Sequence, residues 1–198
     1  MAAVGFAVQL VRSVEWFRGI KTIPVLREAR EPGDPDEYPA LSVVIPACNE
    51  ERVIRESVES ALEGDYPGKL EVIAINDRST DRTGEVLKRL ESGRPGLRVF
   101  HVERPPQGWL GKNHALYLGA ARAEGEWLLF TDADVRFSPS CFRKAAGYAV
   151  RGGLDHLTLP PEIFSRSVLL RGFVAAFELI FEMSRRPWRA GDPGRRNM

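Results

Sequence analysis

The 198 residues include only two cysteines and three histidines, and neither set is spaced for a metal. Cys48 and Cys141 lie far apart in sequence, with no CxxC and no histidine at ligand spacing. That excludes a zinc module and a disulfide framework and fits a reducing compartment, so a cytoplasmic location is expected. An excess of charge of one sign is also missing. The chain has 28 basic and 27 acidic residues and a net charge of +1, whereas a dedicated nucleic-acid binder normally shows a marked basic excess, so no nucleic-acid partner is expected. Internal repeats and low-complexity tracts are absent. The N-terminus lacks the basic region and small-residue cleavage site of a signal peptide. What remains is an ordinary folded composition, 43% hydrophobic and 28% charged, long enough for one well-buried domain.

Met1 to Val11 carries no charge, but it supplies only about half of the ~20 residues a membrane span needs, and Arg12, Glu15 and Arg18 follow it. Phe6, Leu10, Val14 and Phe17 recur at helical spacing. They predict an amphipathic helix that either lies on a membrane or partner or packs on its own domain. Glu31 to Pro39, with three prolines among acidic residues, reads as a linker. From Leu41 onward the pattern changes. Leu41 to Ala47, Leu70 to Ile75, Leu97 to Val102 and Trp127 to Thr131 read as strands, and Glu50 to Leu62, Asp81 to Leu90 and Lys112 to Ala123 as the helices between them. Such alternation implies right-handed crossovers and an α/β fold with a mostly parallel, Rossmann-like sheet covered by helices on both faces.

The strand-to-helix junctions all fall on one edge of a parallel sheet, where they can share a ligand. After the first strand, Asn49 can cap the following helix and leave its amides free for a polar ligand. After the second, Ser79 or Thr80 supplies a cap, which leaves Asp77 at the strand end without a helix-forming duty, or else in an Asx turn. After the third, glycines, Lys112 and a helix start suit an anionic diphosphate. The fourth strand ends in Thr131-Asp132-Ala133-Asp134. Two carboxylates one residue apart repel each other, so a site holding both ionised normally contains a cation, and oxygen ligands suit Mg²⁺ or Mn²⁺. The alternative is a solvated turn. Gly108 to Lys112 lacks the first glycine of a Walker A loop, and Asn113 replaces its Ser or Thr. No GxGxxG follows the first strand, which disfavours a dinucleotide-dependent dehydrogenase. A haloacid-dehalogenase-type phosphatase also opens on a strand and Asp-x-Asp, but on its first core strand, whereas here at least three strands precede the pair.

Taken together, Ser42 to Glu51, Asn76 to Thr83, Gly111-Lys112-Asn113-His114-Ala115-Leu116 and Thr131 to Asp134 resemble, in the right order, a family 2 glycosyltransferase of the GT-A fold. The resemblance runs from about Leu41 to Met198. The Gly-Lys-x-x-Ala-Leu segment and Arg186-Pro187-Trp188-Arg189 are most similar to the branch near hopanoid-associated and carotenoid-type enzymes. The resemblance implies that Pro46, Ala47 and Glu50 line the nucleoside pocket, that Asp77 reads the base, and that Lys112 faces phosphate or donor sugar. It implies that Asp132 contacts ribose or metal and that Asp134 is the main ligand of Mg²⁺ or Mn²⁺. Arg78 and Arg82 stand where the family commonly has glycine, either adding positive charge near the nucleotide or pointing to solvent.

The activity implied is transfer of a sugar, with inversion, from a UDP- or GDP-linked donor to a hydroxyl acceptor of lipid-like character. The family's general base and its Gln/Arg-x-x-Arg-Trp segment do not appear before Met198, so no catalytic base is assigned, and the chain is expected to be a truncated or shortened form. From Val168 to Met183, Arg171, Glu178 and Glu182 share one helical stripe and the rest is apolar. Such a face needs cover from a missing half, a membrane or a second copy of the chain. Arg185, Arg186, Arg189, Arg195 and Arg196 form a basic tail, suited to anionic lipid or diphosphate or simply solvated. The expected organisation is a helix and linker over 1–39, a nucleotide-sugar-binding core over 40–160 and the start of an acceptor half over 161–198, with peripheral contact at the inner face of the plasma membrane. A competing expectation is a non-catalytic sugar-nucleotide-binding fragment or assembly partner.

Overall fold

A computed structural model of the chain describes residues 2–23, 25–26, 38–164 and 167–185. The described residues between 38 and 158 belong to one compact unit, and those between 2 and 26 and between 159 and 185 to another.

The larger unit is built on a parallel sheet of order β3-β2-β1-β4, with β1 at Leu41–Ala47, β2 at Leu70–Asp77, β3 at Leu97–Val102 and β4 at Trp127–Phe130. Every residue of β1 is buried, as expected of a central parallel strand covered on both faces. On one face, Ile54, Val58 and Ala61 of α2 (Ile54–Leu62) and Leu87 and Leu90 of α3 (Thr83–Gly93) pack on Val43, Ile45, Val72 and Ala74. Phe142 of α5 (Cys141–Gly152) joins the same cluster. On the other face, Ala115 of α4 (Gly111–Arg122) closes over Ile73, Ile75 and Val102. At Gly119 a methyl group would collide with a methyl of Val44, so α4 lies almost flush on β1.

Besides shifts of one to three residues at the ends of α3, α4 and β4, two boundaries and one whole element differ from the sequence reading. β2 continues through Asn76 and Asp77, because both pair in register with β3. α2 begins at Ile54, since residues 51–53 form a turn in which the Glu50 carbonyl accepts from the amides of Val53 (3.1 Å) and Ile54 (3.0 Å). α5 was not anticipated. Its inner face is built from Ala145, Ala146, Gly147 and Ala149 beside one large residue, Phe142, opposite a face that carries Arg143, Lys144 and Arg151.

The opposite edge of the sheet fixes where β4 starts. The Ser42 hydroxyl donates to Glu71 Oε1 (2.6 Å) and accepts from the Gly125 amide (2.8 Å). The Glu124 amide donates to the same Glu71 oxygen (2.6 Å), and Arg98 Nη1 donates to Glu71 Oε2 (2.9 Å). This clamp ties β1, β2 and β3 to the turn that launches β4, and so sets where Asp132 and Asp134 emerge.

In the smaller unit, α1 (Ala2–Ile20) and α6 (Val168–Arg185) lie alongside each other. Phe6, Leu10, Val14 and Phe17 of α1 and Leu169, Phe173, Phe177 and Ile180 of α6 remain exposed. Among the described residues no helix is long and apolar enough to cross a membrane. The expected linker, up to residue 37, and the basic tail from residue 186 on lie outside the described residues.

Candidate functional site at the carboxyl edge of the sheet

Ala47 and Asp77 close β1 and β2 at the same edge, and Thr131 to Asp134 follow β4 there. The first turn of α4 reaches the same place: Lys112 Nζ lies 2.5 Å from Asp132 Oδ1, and Gly111 lies against the Asp77 carboxylate. Seven sequence-selected residues therefore fall on one edge. Pro46 and Ala47 are buried in β1, so what they can offer a ligand is mainly backbone.

The loops after β1 and β2 are stitched to each other. Asn49, at φ 60°, accepts through Oδ1 from the Thr80 amide (2.7 Å) and the Asp81 amide (3.3 Å), while its own amide donates to Ser79 Oγ (3.0 Å). The Glu50 amide donates to Thr83 Oγ1 (2.8 Å), and the Glu51 amide to Asp81 Oδ2 (3.1 Å). Three expectations are corrected here. Asn49 does not cap α2, and the amides of residues 49–51 are committed to the neighbouring loop rather than free. At α3 the capping carboxylate is Asp81, whose Oδ1 accepts from the Thr83 amide (2.9 Å) and hydroxyl (2.6 Å), not Ser79 or Thr80. Burial raises the Asp81 pKa, but these hydrogen bonds outweigh it and leave the group lowered. Arg82 turns back to Glu51 (3.1 Å), which answers one of the two open arginine positions.

Arg78 answers the other. Its guanidinium grips Asp77 with both arms, Nε to Oδ1 at 2.8 Å and Nη2 to Oδ2 at 3.0 Å. The Asp77 side chain is 5% exposed and that of Arg78 45%, so the arginine roofs a buried carboxylate. Arg78 holds φ at 58°, a left-handed conformation that glycine adopts freely and arginine does not.

Asp132 and Asp134 are both exposed. Glu50 is their neighbour in charge: its pKa is raised, first by burial and then by the negative charges of Asp134, Asp81 and Asp132. Among the described residues no three His, Cys, Asp or Glu side chains are grouped to hold a metal. Two adjacent carboxylates without a third protein ligand do fit an ion such as Mg²⁺ or Mn²⁺ that is bound through one or two carboxylates plus substrate phosphates.

The residues that sequence reasoning missed are those whose roles depend on conformation. Arg78 could be noticed only as a departure from glycine, and the hydrogen bonds tying Ser79, Asp81 and Thr83 to the first loop cross some 30 positions in sequence. Trp109 packs near His114 and Tyr117, with ring centroids 5.6 and 5.1 Å away, beside the start of α4.

The sequence profile described as glycosyl transferase family 2 matches residues 42–188. The chain belongs to that family. It is 36% identical over 115 residues to the probable glycosyltransferase YdaM of Bacillus subtilis (strain 168), covering 58% of this chain and 26% of YdaM. It is 32% identical over 167 residues to 4,4'-diaponeurosporenoate glycosyltransferase of Staphylococcus aureus (strain USA300), covering 81% of this chain and 41% of that protein. This chain thus spans well under half the length of either relative. Among solved structures, the mannosyltransferase PcManGT of Pyrobaculum calidifontis, in complex with GDP-Man and Mn²⁺, superposes with a TM-score of 0.58 at 26% identity, covering 74% of this chain and 43% of that one. TarS 1-349 of S. aureus, in complex with UDP-GlcNAc, gives 0.50 at 24% identity, covering 64% and 38%, a likeness of fold alone. The parallel sheet with its flanking helices is the GT-A fold.

Proposed function

We propose that this family 2 domain binds a nucleoside-diphosphate sugar together with a divalent cation and supports transfer of the sugar, with inversion, to a hydroxyl acceptor of lipid-like character. The observation that carries this reading is the meeting of Asp77, the α4 N-terminus with Lys112, and the Asp132/Asp134 pair at one sheet edge. A base-recognising carboxylate, a phosphate-facing cation and a metal-binding pair are what a nucleotide sugar presents partners for, in that order along its length. PcManGT, with its GDP-Man and Mn²⁺, shows that this fold accommodates such a donor and ion.

In this proposal residues 40–160 form the donor-binding core. Pro46, Ala47 and Glu50 border the nucleoside, Asp77 accepts from the base, and Asp132 faces the ribose or the ion. Asp134 would be the principal protein ligand of Mg²⁺ or Mn²⁺, an ion that would supply positive charge to offset that on the departing nucleotide. Lys112 holds the diphosphate from the other side. Its pairing with Asp132 is solvent-exposed on both partners, 60% each, and such pairs are weak enough to exchange for a phosphate. The exposed apolar residues of α1 and α6, next to arginines in both helices, support peripheral contact with the cytoplasmic face of a membrane, with self-association as the other way to cover them. Flotation with anionic vesicles against sedimentation of the free protein tells these apart.

Calorimetry with UDP and GDP, with and without Mn²⁺, tests the central reading: binding of at least one nucleotide, strengthened by Mn²⁺, is the expected result. Absence of metal-assisted binding to either would refute it. The alternative reading is a non-catalytic sugar-nucleotide-binding fragment or assembly partner, which would bind the donor without turnover. Donor consumption by the purified chain beyond slow hydrolysis would exclude it.

A further inference from the structure

Asp77 is the most deeply buried acidic side chain at the site, and Arg78 engages both of its oxygens. The arrangement is held from three sides. The Arg78 amide donates to the Val102 carbonyl (3.0 Å), so the backbone is pinned as β2 ends. Gly111 lies against the guanidinium and the Asp77 carboxylate, leaving no room for a side chain. The positive φ of Arg78 is a conformation that bulky residues avoid, and a strained residue at a ligand-binding edge invites a functional explanation.

We propose that Arg78 selects the base of the donor: by filling the two-oxygen fork of Asp77, it leaves the site suited to uracil and unsuited to guanine. This rests on the reading of Asp77 as the base-facing carboxylate. Guanine presents two adjacent donors, its ring N–H and its exocyclic amino group, and their best partner is a carboxylate fork with both oxygens open. Arg78 occupies that fork. Uracil presents a single ring N–H between two carbonyls. One outward lone pair of Asp77 satisfies the N–H, and guanidinium N–H groups not used on Asp77 can donate to a flanking carbonyl. The acceptor and donor thus stand side by side in the pattern an imide edge requires, and a glycine at position 78 would leave only the open fork.

The test is calorimetric titration of the 198-residue chain with UDP and with GDP in Mn²⁺, for the parent, Arg78→Gly and Arg78→Lys. The parent is expected to bind UDP at least about tenfold more tightly than GDP, the scale of one bidentate contact. Arg78→Gly is expected to bring the two within about threefold or to invert them. Its thermal midpoint should fall, because losing both charge-assisted hydrogen bonds to the buried Asp77 outweighs the strain relieved when glycine takes up φ 58°. Arg78→Lys retains the charge but cannot fill the fork, and should move the ratio the same way, which separates fork occupancy from charge alone. A parent that prefers GDP, or a UDP/GDP ratio that neither variant changes, overturns the inference and leaves the donor-site reading standing. Failure of the parent to bind either nucleotide with Mn²⁺ removes that reading and the inference with it.

Discussion

Replacing Gly119 with alanine tests whether the close seating of α4 on β1 sets the site. The added methyl would collide with one methyl of Val44 and lie 3.3 Å from the other, and Val44 is fully buried in the central strand. Neither partner can retreat: Val44 is held by ladders to β2 and β4, and α4 is held by Ala115 over Ile73 and Ile75. Overpacking of this kind costs about 1–3 kcal/mol. Alanine in the interior of a helix returns about 0.5–1 kcal/mol relative to glycine. The difference spans about 0–2.5 kcal/mol, and so hard a collision with a pinned side chain places the net loss at about 1–2 kcal/mol, which for a chain of this size lowers the thermal midpoint by about 2–8 °C. Urea denaturation of Gly119→Ala, Val44→Ala and the double variant measures it, with the double variant recovering at least about 0.5 kcal/mol of coupling because the new methyl fills the space Val44 vacates. Since α4 carries Gly111 and Lys112, the single variant should also weaken nucleotide binding. A Gly119→Ala protein as stable as the parent, or a cycle without coupling, would refute the packing argument. Gly93→Ala at the end of α3, where an added methyl meets nothing within 4 Å, is the control and should be neutral or slightly stabilising.

Asp134→Asn is expected to abolish the Mn²⁺ enhancement of nucleotide binding while leaving the denaturation midpoint nearly unchanged, because the carboxylate is exposed; calorimetry with and without the ion reads both. Lys112→Ala should weaken diphosphate binding by about tenfold or more, yet change stability by less than about 1 kcal/mol, since its partner Asp132 is equally exposed. Glu71 is pushed up by burial, but the Ser42 hydroxyl, the Glu124 amide and Arg98 together leave its pKa lowered. Its stabilisation is therefore present above the ordinary glutamate range and lost as pH falls through the lowered value, so Glu71→Gln should cost stability at neutral pH and little in strong acid, as acid titration of the midpoint will show. Glu50 has the opposite sign: its pKa is raised, so its ionisation opposes folding as pH rises through that value, and Glu50→Gln should stabilise the nucleotide-free protein at pH 7 but not below the normal glutamate range.

The sheet was legible because its strands are apolar runs bounded by turn residues, and β1 and β3 fall where the sequence reading placed them. That reading also gathered Asp77, Lys112, Asp132 and Asp134 to one edge by a general property of parallel α/β sheets. What it could not supply were relations set by backbone conformation. Asn49 looks like a helix cap by residue type, yet its left-handed conformation is accompanied by acceptance from the Thr80 and Asp81 amides. Arg78 has no sequence signal for bending back on its neighbour, because arginine is a residue one would not place at φ 58°. α5 was legible in principle, since its small buried residues and Phe142 recur at helical spacing, but it follows the last strand and so lies outside the strand–helix alternation that located the other helices of the sheet.

These conformational details explain how the proposed metal-binding pair and the proposed base-reading carboxylate can share one sheet edge. Asp77 is buried, and an isolated buried carboxylate would be costly. Arg78 compensates it with two charge-assisted hydrogen bonds. Asp132 and Asp134 instead remain in water, where like charges are screened, and Lys112 covers one of them loosely. A bound diphosphate would compete with Asp132 for Lys112, and releasing Asp132 would strengthen the negative field at the pair just as the diphosphate supplied further oxygen ligands. Cation and nucleotide should therefore bind with positive coupling, each raising the affinity of the other by the same factor. Titrating nucleotide at several fixed Mn²⁺ concentrations, and Mn²⁺ at several fixed nucleotide concentrations, should return that single factor, and Lys112→Ala should diminish it. Equal Mn²⁺ affinity with and without nucleotide would show that the two aspartates hold the ion unaided.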